Sequence, residues 1–165
     1  MNVERTLVLI KPDGVERGIA GQIITRFEQA GLKIVGLKLA MVDEDFAKKH
    51  YTDDIAKRRG EHVRKNMVDM LASGPIIAMV LEGIEAIALV RKMVGATEPK
   101  AAEPGTIRGD FAHVSYAYSD AHNIGVKNVV HASSSPEDAA GEISLWFAVA
   151  DLHSYSSVHD KHILK

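Results

Sequence analysis

Four short apolar runs limit what this chain can fold into: RTLVLI at 5–10, KIVGLKLAMV at 33–42, IIAMVL at 76–81, and Val129 with Val130. Each is strand-like, and the segments between them carry apolar residues at the three-and-four spacing of a helix. Ile19, Ile23, Ile24, Phe27 and Ala30 follow that spacing, with Gly31 placed to end the helix. Asp43 is placed to cap a short helix through 49, a helix through Met67, Met70 and Leu71 stops at Ser73-Gly74-Pro75, and residues 84–94 form another. Ser135-Pro136-Glu137-Asp138 reads as a helix start, with a cap, a first-turn proline and acids at the positive end, running to about 147.

That order predicts an α+β fold: a ferredoxin-like (split βαβ) sandwich, with a four-stranded antiparallel sheet and helices packed on one face. A doubly wound parallel sheet is the alternative. Two stretches resist the pattern. The polar segment 51–65 has no legible period, and 95–127, with Pro99, Pro104 and several glycines, reads as a long loop of the kind that carries function. The His159 and His162 pair falls in what reads as a frayed tail.

The 165 residues contain no Gly/Ser-rich linker, so residues 1–165 are expected to form one domain. A hydrophobic share of 46% against a charged share of 25% is that of an ordinary globular chain, with no window of membrane-spanning length. A formal charge of -2 gives no general electrostatic support for specific nucleic-acid binding. Zero cysteines exclude thiol catalysis and disulfide scaffolding, and the charged start MNVERTLVLIKP is unlike a secretion signal, so a cytoplasmic location is expected.

There is no GxxxxGK[ST] and no GxGxxG, so a phosphate site would have to be assembled from separated side chains. Lys11 at the end of the first strand, Arg91, and Thr97 and Arg108 in the long loop supply fixed cations and a hydroxyl, although any one of them could be a solvated surface charge. His131 follows the fourth apolar run. A histidine nucleophile needs one ring nitrogen free and the other held by an acceptor, and Glu142 on the following helix is the natural partner. Spacing alone favours a structural His131 over a catalytic one.

Taken together, TLVLIKPDGVERG at 6–18, SGPIIAMVLEG at 73–83, GATEP at 95–99, PGTIRGDF at 104–111, and NVVHASSS with EISLWF across 128–147 resemble the blocks of the nucleoside diphosphate kinase family, in its order. The resemblance implies a ferredoxin-like domain assembling into hexamers or tetramers. It implies a Mg2+-dependent exchange of a γ-phosphoryl group between nucleoside tri- and diphosphates. By the same matching, His131 is the phosphorylated residue, oriented by Glu142 with Ser133 beside it. Lys11, Tyr51, Arg91, Thr97, Arg108 and Asn128 fall on phosphate and ribose contacts.

The chain also departs from that pattern. RRGEHVRKNM at 58–67 stands where the family has a proline and two phenylalanines, one stacking on the base, so base contact is expected from His62, Val63 and Met67. Ser134 replaces an aspartate, which implies altered rate or metal dependence. Residues 111–127 add roughly ten positions before Asn128, in a loop where added length is tolerated. These departures motivate an alternative: a nucleotide-binding regulator that kept the fold and lost turnover.

Overall fold

The computed structural model describes residues 3–163. In chain order its elements are β1 (Val3–Ile10), α1 (Pro12–Glu16), α2 (Ala20–Gln29), β2 (Lys33–Ala40), α3 (Glu44–His50), α4 (Asp53–Arg59), α5 (Glu61–Leu71) and β3 (Ile76–Ile84). There follow α6 (Ala86–Val94), α7 (Ile107–Phe111), α8 (Tyr116–Ala121), β4 (Val130–Ala132), α9 (Pro136–Trp146) and α10 (Asp160–Ile163). The strands lie in the order β2-β3-β1-β4. Every neighbouring pair is antiparallel, as the ferredoxin-like expectation requires and the doubly wound alternative does not.

β1 is central and buried on both sides, which explains why RTLVLI has no alternation. The two-residue period sends Val8 and Ile10 into one core with Ile23, Phe27, Val90 and Val94, while Leu7 and Leu9 enter a second core with Val68, Leu71 and Trp146. Helices therefore cover both faces, not the one expected from the sequence. A fully apolar central strand needs cover on both faces.

Several boundaries differ from the sequence reading for local reasons. The Lys11 to Gly14 turn signal opens α1, because Pro12 occupies the first helical position, where its missing N–H costs nothing. The polar segment 51–65 holds α4 and the start of α5, broken at Gly60, whose φ of 94° most residues avoid. β3 runs on through Ile84, and Glu85 at φ 47° turns the chain, so α6 starts at Ala86. The supposed loop contains a 3-10 turn at Pro99–Ala101 together with α7 and α8. The C-terminal tail forms α10, where Asp160 approaches Lys33 at 3.6 Å.

Candidate active site

The site begins at the turn that feeds β4. Val130 N–H donates to the Asn128 carbonyl at 2.7 Å, closing a three-residue turn around Val129, which has a φ of 59°. A β-branched residue in that region is strained, and the surroundings must hold it there. They do: Val129 N–H donates to Asp13 Oδ2 at 3.0 Å, and its carbonyl accepts from the Lys11 amide at 2.9 Å. Asn128 donates to the Thr97 carbonyl at 2.7 Å, tying the turn to the GATEP segment.

His131 leaves β4 opposite Leu9. Its Nε2 donates to Glu142 on α9, at 2.9 and 3.0 Å to the two oxygens. Ser133 Oγ donates to Glu142 Oε2 at 2.5 Å and accepts from Leu7 N–H at 3.3 Å. Burial pushes the Glu142 carboxyl up, but the hydrogen bond and charge of His131, with smaller help from His50 and Ser133, hold it below the ordinary value. An ionised Glu142 fixes the proton on Nε2, so Nδ1 keeps the lone pair. That is the arrangement a histidine nucleophile needs.

Two buried neighbours of His131 are themselves uncharged. The His50 ring stands edge-on to His131 at a centroid distance of 4.5 Å, and its Nδ1 accepts from Trp146 Nε1 at 3.3 Å. Burial first, and then the nearby His131, lower the His50 pKa to about 3. Tyr51 is buried 6.5 Å from the His131 ring, and burial pushes its hydroxyl above the ordinary range, so it stays protonated.

The cations are unusually dry. Lys11 is only 4% exposed, and burial lowers its pKa to about 8, with Asp13 opposing and Arg108 assisting. Arg108, 3% exposed, donates to the Gly95 and Val130 carbonyls at 2.9 and 2.8 Å. Those acceptors are neutral, its Nε is unpartnered, and burial followed by repulsion from Arg91 lowers its pKa to about 10. Buried positive charge that makes no direct ion pair among the described residues favours an anion arriving from outside. Arg91, close enough to repel Arg108, and Thr97 are both exposed.

Two adjoining spaces organise the remaining residues. One, of about 460 Å³, is lined by His131, Glu142, Tyr51, Ser134, Asp138 and Met67. The other is a slot between α5 and the added segment, lined by Lys11, Val63, Met67, Thr97, Tyr116 and Asn128. Of the three residues expected to contact the base, Val63 and Met67 line the slot, whereas His62 is exposed and lines neither space. Ser134 donates to Asp138, bringing that carboxylate beside the place where an aspartate was missed. The structure also brings in His50, Arg59 and Tyr116, to which the sequence assigns no role. His50 carried a signal in its neighbour Tyr51, but α8 had none.

The family profile described as nucleoside diphosphate kinase matches residues 4–152. The nucleoside diphosphate kinase of Borreliella burgdorferi is 46% identical over 156 residues, covering 94% of this chain and 93% of that protein. That of Pyrococcus abyssi is 50% identical over 157 residues, covering 95% and 92%. A solved Borrelia burgdorferi nucleoside-diphosphate kinase, a transition-state mimic with bound vanadate and ADP, superposes with a TM-score of 0.96 at 44% identity, over 98% of this chain and 97% of that one. An NDP kinase from Pyrobaculum aerophilum gives 0.86 at 34% identity, over 93% and 100%. With antiparallel topology, an oriented histidine and buried cations beside it, the chain belongs to the nucleoside diphosphate kinase family.

Proposed function

We propose that the protein transfers the γ-phosphoryl group of a nucleoside triphosphate, typically ATP, to a nucleoside diphosphate in two half-reactions through His131. The observation that carries this reading is the pairing of His131 Nε2 with Glu142, which leaves Nδ1 with its lone pair. In the first half-reaction Nδ1 attacks the γ-phosphorus, an N–P bond forms, and the bond to the β–γ bridging oxygen breaks to release the diphosphate. In the second, a terminal oxygen of the acceptor diphosphate attacks that phosphorus and the N–P bond breaks, restoring the imidazole. Phosphoryl transfer asks for alignment and charge stabilisation more than for covalent help.

The other residues divide the substrate between them. Lys11 steadies charge on the γ-phosphate, while Arg91, Thr97 and Arg108 hold the β-phosphate region. Asn128 and Lys11 reach the sugar hydroxyls, and Val63 with Met67 faces the base. Ser133 holds Glu142 in its orientation, and protonated Tyr51 bounds the cleft beside the nucleophile.

The family's nucleotide chemistry implies a divalent metal, and Mg2+ fits this donor set as a cation carried chiefly by phosphate oxygens and water. The three-donor grouping found among the described residues, His50, His131 and Glu142, is imidazole-rich and ill suited to a hard cation. When bound, Mg2+ neutralises phosphate charge.

The same reading takes residues 1–165 as one domain, working in the cytoplasm as a homo-oligomer, tetramer or hexamer. The domain assignment is supported by two cores that share one sheet. No helix among the described residues is long and apolar enough to cross a membrane. The test is direct: with ATP, GDP and Mg2+ the protein should form GTP through an acid-labile phosphohistidine. His131→Ala should abolish both signals, and GTP formation by that variant would refute the reading.

A further inference from the structure

The slot beside Lys11 is lined by both polar and apolar side chains. Lys11, Thr97 and Asn128 line it together with Val63 and Met67 of α5, Tyr116 of α8 and Arg59. The added segment that carries Tyr116 is anchored on both sides. Tyr116 N–H donates to Glu98 Oε1 at 2.8 Å, next to Thr97, and Asn66 on α5 donates to Asn123 at 3.2 Å. Gly125 packs so closely on α5 that a Cβ there would stand 2.7 Å from the Asn66 carbonyl. This stretch is a built wall.

The slot holds only about 50 Å³, less than a nucleobase needs. Its Tyr116 ring is already covered, because the Arg59 guanidinium lies 4.9 Å from the ring centroid. Arg59 is the last residue of α4, is exposed, and is followed by Gly60 at φ 94°, so it has solvent to move into. A guanidinium is a flat, delocalised cation that stacks on aromatic faces much as a base does.

From this we infer that Tyr116 is the aromatic platform for the nucleobase, and that Arg59 covers the same ring face until the nucleotide displaces it. The inference rests on the nucleotide-transfer reading and corrects it in one respect. Val63 supplies only one apolar side of the base site, and the stacking face comes from the added segment. Stacking is indifferent to base identity because every base has a π-face. The platform therefore serves purines and pyrimidines alike.

Calorimetric titration of the full chain with ADP, with CDP, and with inorganic tripolyphosphate as a probe lacking base and sugar tests this. Tyr116→Ala is expected to weaken ADP and CDP by about 5- to 160-fold, the range for loss of one base stack, and to leave tripolyphosphate unchanged. Tyr116→Phe should stay within about twofold of the parent. Because it retains the ring's packing, Phe also guards against a loss of ADP binding caused by misfolding. Unchanged ADP affinity in Tyr116→Ala, an equal loss for tripolyphosphate, or a Phe variant as weak as Ala would each overturn the platform. The readout is binding, so it stands apart from turnover. Tyr116-dependent ADP binding in a protein that transfers no phosphate would sink the transfer reading and leave this one intact.

Discussion

At the residue scale, Lys11 is the clearest case of a buried charge that costs stability. Its pKa falls from 10.5 to about 8 through burial, so at pH 7 the folded protein carries a desolvated ammonium. For a base with a lowered folded pKa, the unfolded chain binds more protons between about pH 8 and 10.5, so folding stability rises with pH across that window. Below it the full penalty is present, on the order of 3 kcal/mol at 1.36 kcal/mol per pKa unit. Lys11→Met should therefore raise the midpoint of chemical unfolding at pH 7 and flatten its rise in alkali, while transfer activity collapses. In the parent, kcat/KM should fall as pH climbs through about 8, because that ratio reports the free enzyme's ionisations and the ammonium is the form proposed to meet the phosphate. An alkaline limb that persists in Lys11→Arg would assign the titration to another group.

Single residues were legible in the sequence to very different degrees. His131, Glu142, Lys11 and Arg108 could be named because chemistry demands a nucleophile, its acceptor and fixed cations. Their roles could not be read from spacing, since the 11 residues from His131 to Glu142 cross a strand end and a helix cap. His50 stayed hidden because its importance comes from burial beneath His131, which no local pattern encodes.

At the scale of elements, legibility followed local physics. β1, α2 and α9 were readable because an apolar run, a three-and-four spacing and a Ser-Pro-acid start each have a single common outcome. The α4–α5 pair was not, because its polar faces blur the period and the break depends on one glycine. The α7–α8 stretch escaped because short helices held by tertiary contacts leave little local signal. Caps also matter for the site, since Ser135 Oγ accepts from Asp138 N–H at 3.1 Å at the start of the helix that carries Glu142. Ser135→Ala should cost about 1 kcal/mol of stability by urea titration and change turnover little. A large loss of turnover without a loss of stability would give the hydroxyl a part in catalysis.

At the scale of the molecule, the β2-β3-β1-β4 order brings the ends of β1 and β4 together, and Lys11 and His131 with them. Strand lengths announced the sheet. The second covered face had to come from the structure, because a buried helix and a buried strand look alike in a short apolar run. The same order leaves β2 at an edge, with Leu37, Leu39 and Met41 at 52%, 67% and 75% exposure. Apolar groups so placed mark an association surface more often than a solvent face. Light scattering should find an assembly of four or six 18.0-kDa chains, and Leu39→Lys with Met41→Lys should shift it to smaller species. An unchanged mass in the double variant would move the interface elsewhere.

The contact from Trp146 through His50 to His131 has an optical consequence. Trp146 is the chain's single tryptophan, and its indole N–H points at a ring that touches the nucleophile. A phosphoryl group arriving on His131 places negative charge one imidazole away from the only indole chromophore. The emission of the unlabelled protein should therefore change with each half-reaction, letting the chemistry be timed by its own light.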